Sequence, residues 1–170
     1  MASSGSEVCR GVVYTVGHSN RSLEEFIRLL ERFRIVLVVD VRRWPTSRRF
    51  PWFERRALES ALRSRGIAYA WLGDLLGGFR PGGYEAYMAS DDYRRGIEVL
   101  RKLIDSEMRG CVAIMCRERL WFRCHRRFIA DTLASLGYRV IHIVDESRTY
   151  VHRLRRAGDV VSGSSITSDT

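Results

Sequence analysis

The chain has 170 residues, of which 45% are hydrophobic, and its formal net charge is +9 at pH 7. This length suits one ordinary domain, and the sequence contains no stretch of about 18 apolar residues that could span a bilayer. Because the N-terminus also lacks the apolar and basic regions of a secretory signal, the sequence predicts a cytoplasmic protein without a membrane partner.

The first forty residues predict a strand, a helix and a second strand. Residues 12–16 are apolar and mostly β-branched, which is typical of a short buried strand. Ser22 and Glu25 have the spacing of a capping box, so a helix is expected to begin there. Residues 35–40 are apolar up to a terminal aspartate, which indicates a strand covered on both faces.

The rest of the chain continues the alternation of helices and strands. Residues 42–56 read RRWPTSRRFPWFERR, and the two prolines predict a loop. The elements expected after it are a helix over 57–65, a strand over 67–72, a glycine-rich connection over 75–83, a helix from Ser90 that ends by Gly110, a strand over 111–115, a loop over 116–123, a helix from about His125 to residue 136, and a strand over 139–144.

This alternation predicts an α/β fold with a mostly parallel five-stranded sheet and helices on both faces, Rossmann-like, in the strand order 3-2-1-4-5. The single α/β domain is expected over residues 1–156. Residues 157–170 lack periodicity and are expected to form a flexible C-terminal tail.

Ligands of such sheets bind at the carboxyl ends of the strands. In the expected order, strands one and four are neighbours. His18, Ser19 and Cys116 should therefore face one crevice, with Asp40 and Arg42 along its side.

The basic residues are almost all arginine, since Lys102 is the single lysine among 29. GC-rich coding or life at high temperature would account for this bias as well as function would. The planar fork of arginine nevertheless pairs well with oxyanions, so the composition favours a phosphate-bearing small molecule or a nucleic acid as partner.

The most chemically suggestive segment is CRERLWFRCHR, from Cys116 to Arg126. Cys116 follows a buried strand, and Cys124 precedes a helix, where the helix dipole and nearby arginines favour a thiolate. The predicted catalytic residues are Cys116, Cys124, His18 and Glu118. The predicted substrate-binding residues are Ser19, Asp40, Arg42, Arg43, His125 and Arg126.

Structural interpretations of the cysteines stay open beside the catalytic one. Cys111 is expected to be a core residue, and Cys116 and Cys124 could be core residues too or form a disulfide. Their spacing is not a standard zinc pattern, but His18 or His125 could complete a site. Zinc is therefore a possible cofactor, although no metal ligand is assigned. Nucleotide-binding glycine loops are absent from the sequence, and the C-x5-R spacing of cysteine phosphatases does not fit from Cys116 or Cys124, since the sixth residue after each is Phe122 and Ala130.

Five motifs occur in order along the chain, namely Gly17-His18-Ser19, Asp40-Val41-Arg42, Leu76-Gly77-Gly78, Cys116-x-Glu118 and Cys124-His125-Arg126. Over about residues 14–143 the chain resembles the family known as domain of unknown function 488. The resemblance implies an α/β fold and a site at these motifs, and the family name implies no activity. The family's segment before the second cysteine is usually polar, whereas this chain has RLWFR, so we expect different substrate contacts there.

Two functions remain in competition. The first is a cysteine-dependent enzyme that acts on a phosphate-bearing substrate, such as a nucleotide or nucleic acid. The second is a non-catalytic nucleic-acid-binding protein that uses the arginine and aromatic loop, with Arg48, Arg49, Trp52 and Arg55 as the predicted contacts.

Overall fold

The computed structural model describes residues 9–154 of the chain. The strands in this part are β1 (Val12–Gly17), β2 (Ile35–Asp40), β3 (Ala68–Trp71), β4 (Cys111–Cys116), β5 (Arg139–Ile143) and β6 (Thr149–Val151). The helices in the same range are α1 (Leu23–Arg32), α2 (Arg55–Ser64), α3 (Gly73–Leu76), α4 (Tyr84–Tyr87), α5 (Asp91–Ser106) and α6 (Arg126–Ser135), with short 3-10 helices at Pro51–Phe53 and Trp121–Arg123. The predicted tail over 157–170 lies outside the described residues.

The six strands form one sheet in the order β3-β2-β4-β1-β5-β6. Neighbouring strands are parallel except for β5 and β6, which are antiparallel. The predicted α/β fold with a mostly parallel sheet is thus confirmed, as is the contact between strands one and four. The predicted order is wrong in one respect, because β4 lies between β1 and β2. All six residues of β4 are buried, which suits this central place.

Two hydrophobic cores flank the sheet. One contains Val112 and Ile114 of β4 together with residues of α3, α5 and α6. The other contains Ala113 and Met115 of the same strand, packed with residues of α1 and α2. Since successive side chains of a strand point to opposite faces, β4 contributes to both cores, and helices cover both faces as predicted.

The helix starts follow from side chains that accept backbone N–H groups. The Ser22 hydroxyl accepts the N–H of Glu25 at 3.1 Å, as the capping box predicts, and the Ser90 hydroxyl caps α5 in the same way. Helix α2 begins two residues earlier than expected, because the Glu54 carboxylate accepts the N–H groups that follow it.

Three features of the structure differ from the sequence-based expectation. The glycine-rich connection begins inside the short helix α3, and α4 follows it. Strand β6 was not expected, since all three of its residues are exposed and carry no apolar alternation. Cys111 is buried as expected but forms a disulfide with Cys9, whereas Cys116 and Cys124 are free thiols. Among residues 9–154, no helix combines the length and apolarity needed to cross a membrane.

Candidate functional site

The carboxyl ends of β1, β4 and β2 lie side by side and carry three of the sequence motifs. The N–H of His18 donates to the carbonyl of Cys116, and the N–H of Ser19 donates to that of Arg117, both at 2.9 Å. A Cβ at Gly17 would overlap the carbonyl of Glu118. Glycine at this position therefore lets the loops after β1 and β4 run against each other.

The loop after β2 is held by a buried carboxylate. Asp40 is fully buried and accepts hydrogen bonds from the Arg42 backbone N–H at 3.0 Å and from its guanidinium at 2.9 and 2.7 Å. The Tyr69 hydroxyl donates to the same carboxylate at 2.5 Å. Burial, reinforced by the charge of Asp40, raises the pKa of Tyr69 and keeps it a donor. Asp40 thus positions Arg42 at the crevice.

His18 is buried and neutral at physiological pH. Its ring stacks on Phe53 with centroids 4.3 Å apart, and burial, aided by the charge of Arg42, lowers its pKa to about 4. The Nδ1–H donates to the carbonyl of Ser19 at 2.9 Å, while Nε2 accepts from Arg42 at 3.3 Å. Both ring nitrogens are therefore occupied, and His18 helps to orient the Arg42 guanidinium.

Cys116 and Cys124 form a close thiol pair, with their Sγ atoms 2.9 Å apart. Cys124 Sγ also accepts from the backbone N–H of Arg126 at 3.4 Å and from its Nε–H at 3.3 Å. The hydrogen bond from Cys116 and the charge of Arg126 lower the pKa of the Cys124 thiol, whereas burial raises that of Cys116. The surroundings thus favour the thiolate at Cys124 and the protonated thiol at Cys116.

Arg126 is fully buried beneath this pair. Besides Cys124, its guanidinium donates to the carbonyls of Glu118 and Arg119 and, at 3.2 Å, to the hydroxyl of Thr15. A buried charge needs such partners, and here they hold the loop after β4 against the start of α6. Arg126 supports the thiolate from within the protein.

A chain of hydrogen bonds leads from Arg126 to the surface. Thr15 Oγ1 lies 2.6 Å from His142 Nδ1, His142 Nε2 lies 2.9 Å from His152 Nδ1, and His152 Nε2 lies 2.7 Å from Asp131. Arginine can only donate, and the carboxylate can only accept. When both imidazoles are neutral, the carboxylate therefore fixes the direction: His152 Nε2–H donates to Asp131, His142 Nε2–H donates to His152, and the Thr15 hydroxyl donates to His142. Burial also lowers the pKa of His142 to about 2.

The thiol pair lies in a cleft of about 840 Å³. Aromatic rings and seven arginine side chains line it, and the arginines are Arg42, Arg43, Arg48, Arg49, Arg117, Arg123 and Arg127. Among the described residues that line the cleft, Glu118 is the one acidic residue. The excess of cations makes the cleft strongly attractive to anions.

His125 is the histidine of the cleft with a free ring nitrogen. Its Nε2–H donates to the carbonyl of Val41 at 3.0 Å, which leaves Nδ1 unprotonated. Burial lowers the pKa of His125, so the ring is neutral at pH 7. A Cβ at Gly78 would lie 3.0 Å from Nδ1, so a glycine here avoids crowding this nitrogen.

The structure brings most of the predicted site residues to this cleft. Those that line it are His18, Arg42, Arg43, Arg48, Arg49, Cys116, Glu118, Cys124 and His125. Five predicted residues do not line it, namely Ser19, Asp40, Trp52, Arg55 and Arg126. The Trp52 indole N–H donates to the carbonyl of Arg21 at 3.0 Å, and Arg55 lies over the ring of Trp71.

Sequence reasoning did not identify several residues that the structure places at the site. Tyr69 and Thr15 are polar residues in strands, and this is the one signal that could have singled them out. Arg117 is the variable position of the first cysteine motif, and Arg123 and Arg127 flank the second; none of the three carries a pattern of its own. No set of three or more His, Cys, Asp or Glu side chains within residues 9–154 is arranged to hold a metal ion.

A family model described as Domain of unknown function DUF488 matches residues 22–133. The chain belongs to the DUF488 family. The matched span includes the motifs at Asp40, Leu76, Cys116 and Cys124, while the DUF488 match begins just after the loop that carries His18. No curated protein and no solved structure matches the chain. The family description names no activity, so membership of the family does not indicate what the protein does.

Proposed function

We propose that this DUF488 protein is an enzyme in which the Cys124 thiolate acts as nucleophile on a phosphate-bearing substrate. The observation that carries the proposal is the set of donors around one sulfur atom. Cys124 Sγ receives hydrogen bonds from Cys116 and from two N–H groups of Arg126, at the floor of a cationic cleft.

The surroundings of Cys124 are those of an activated thiol. Nucleophilic cysteines are partly accessible and electropositive in their surroundings, whereas structural cysteines are buried among apolar groups. Cys124 is partly exposed and precedes α6, whose first N–H groups favour a negative charge. Cys116 is almost fully buried and remains protonated. The two thiols therefore have different roles.

The cleft arginines support a phosphate-bearing substrate. Arg42 is held by Asp40 and His18, so its guanidinium is fixed before any ligand arrives. Preorganised arginines bind phosphate oxygens through paired hydrogen bonds with little loss of freedom. Arg42 and Cys124 line the same cleft, so a substrate with a phosphate at Arg42 would be held in the cleft that contains the thiolate.

In the proposed step, the electron pair of the Cys124 thiolate forms a bond to an electrophilic atom of the substrate. The bond to the leaving group breaks, and its electrons stay with the leaving group, which takes a proton from solvent. His125 lines the cleft and its Nδ1 is unprotonated, so it can accept a proton from a substrate group or a water molecule. Glu118 lies at the same cleft as a second acceptor.

The proposal is tested by the pH dependence of alkylation, with the modified cysteine identified by peptide mass spectrometry. We expect Cys124 to react first and to keep reacting at pH values well below the ordinary thiol pKa of about 8.5. Inorganic tripolyphosphate should slow the reaction by filling the cleft. A Cys124→Ser variant should lose the fast phase. Reaction of Cys116 and Cys124 only near the ordinary pKa would refute the proposal.

A second candidate is a non-catalytic nucleic-acid-binding protein. Arg48 and Arg49 favour it, since they belong to the arginine and aromatic loop and line the cleft. In this case, the affinity for nucleic acid would fall steeply as the salt concentration rises. The Cys124→Ser variant would bind nucleic acid with the affinity of the unchanged protein. Loss of catalytic activity in the Cys124→Ser variant would instead support the enzymatic function.

A further inference from the structure

Two aromatic side chains at the mouth of the cleft are exposed to an unusual degree. The side chain of Trp44 is 59% exposed and that of Phe79 is 81% exposed, and their ring centroids are 5.5 Å apart. Both residues line the cleft. Large aromatic residues normally bury most of their surface, so a pair left open at a cleft indicates a binding surface.

The backbone around Phe79 presents its ring outward at an energetic cost. Phe79 has a φ of +60°, in the left-handed region that non-glycine residues rarely adopt. Arg43 holds this conformation by donating to the carbonyl of Phe79 at 2.5 Å. Arg80 donates to the carbonyls of Gly77 and Asp74 at 2.9 and 2.5 Å. The loop is thus fixed by arginines while its aromatic ring contacts solvent.

The number of arginines beside Trp44 and Phe79 suits a ligand that carries more than one phosphate group. Arg43 lies over the ring of Trp44, at 5.1 Å from its centroid, and six other arginines line the same cleft. A single phosphate would neutralise only a fraction of them. Several phosphates together with flat rings are the chemistry of a nucleic acid, and a base can stack on an aromatic side chain only when it is unpaired.

We infer that the cleft binds single-stranded nucleic acid, with an unpaired base stacked on Phe79 and Trp44 and the adjoining phosphates on the cleft arginines. This inference rests on the proposed function, because it takes the cleft as the substrate site and names the class of substrate. Phe79 is a binding residue that the sequence motifs do not mark.

The test is the fluorescence anisotropy of labelled oligonucleotides with the full chain. We expect single-stranded DNA or RNA of one sequence to bind more tightly than its duplex. An oligonucleotide of equal length with abasic sites should bind more weakly, although it has the same phosphates. The DNA and RNA arms show which sugar the cleft prefers. Equal binding of duplex, abasic strand and single strand would overturn the inference.

The matched variants are Phe79→Ala, Phe79→Trp and, as a control, Tyr150→Ala. Tyr150 is an exposed aromatic residue on β6 that does not line the cleft. Loss of one stacked base weakens binding by about 5-fold to 150-fold, so we expect this loss in Phe79→Ala only. Phe79→Trp should retain affinity. Wild-type affinity of Phe79→Ala would contradict the stacking site.

Alkylation of Cys124 separates this inference from the proposed enzyme. If the thiol reacts at low pH but no oligonucleotide binds, the substrate class is wrong and the activated thiol stands. If oligonucleotides bind through their bases while Cys124 behaves as an ordinary thiol, the stacking site stands and the enzyme is wrong.

Discussion

Removal of the Cys116 thiol should raise the pKa of Cys124. In Cys116→Ala, the thiolate loses the donor that lies 2.9 Å from it and keeps the two N–H groups of Arg126. A hydrogen bond to a charged group contributes about 1.5–3 kcal/mol, which corresponds to an increase of about one to two pH units in the pKa. Cys116→Ser is the matched variant, because its hydroxyl can still donate.

The assay is the rate of iodoacetamide reaction at Cys124, measured against pH in the three proteins. We expect the midpoint of the rate profile to move upward in Cys116→Ala and to stay near that of the unchanged protein in Cys116→Ser. The alkylated residue is identified by peptide mass spectrometry. Identical midpoints in all three proteins would refute the assignment of Cys116 as the donor.

Three further predictions concern stability, measured as the free energy of unfolding in urea. Gly17→Ala should destabilise the fold by about 1–3 kcal/mol, because its Cβ would overlap a carbonyl of the loop after β4. Tyr69→Phe should cost about 1.5–3 kcal/mol, because the carboxylate of Asp40 loses a charged hydrogen bond inside the protein. Burial lowers the pKa of His18 to about 4 and that of His142 to about 2, so the folded state favours the neutral form of both rings. The resulting stability is complete above pH 6.5 and is lost as the pH falls towards 4, and His18 accounts for about 3 kcal/mol of the loss.

Each of these predictions has a clear contrary outcome. Unchanged stability of Gly17→Ala would mean that the two loops do not run against each other. Tyr69→Phe should also disturb Arg42, so stability equal to that of the exposed control Tyr150→Phe would remove Tyr69 from the network. A free energy of unfolding that stays flat between pH 6.5 and pH 4 would mean that burial holds neither His18 nor His142 in its neutral form.

Local patterns were sufficient for most of the fold. The capping residues Ser22 and Ser90 mark two helix starts because the interaction lies within four residues of sequence. The buried strands are apolar on both faces, and that alone indicates a parallel sheet between helices. The strand order was harder to predict from the sequence, since the position of β4 between β1 and β2 depends on how whole elements pack. The exposed strand β6 has three residues and no alternation of apolar and polar positions that would mark it in the sequence.

The site likewise contains residues that local sequence patterns mark and residues that come together only through the packing of distant elements. The cysteine motifs stand out because a cysteine beside a helix start has a chemical reason for its position. The supporting residues do not, because Thr15, His142 and His152 come together only through the pairing of β5 with β1 and β6. Sequence separation hides a hydrogen-bond chain whose three middle members lie on β1, on β5 and just after β6. Phe79 is likewise recognisable only once its exposure and backbone are known.

The central claim is that Cys124 is a thiolate at the floor of a cationic cleft. It is tested most directly by comparing the rates at which iodoacetate, an anion, and neutral iodoacetamide alkylate Cys124, relative to the same ratio for a small free thiol. We expect the ratio at Cys124 to exceed that of the free thiol and to fall as salt screens the arginines. A ratio equal to that of the free thiol at every salt concentration would contradict the account.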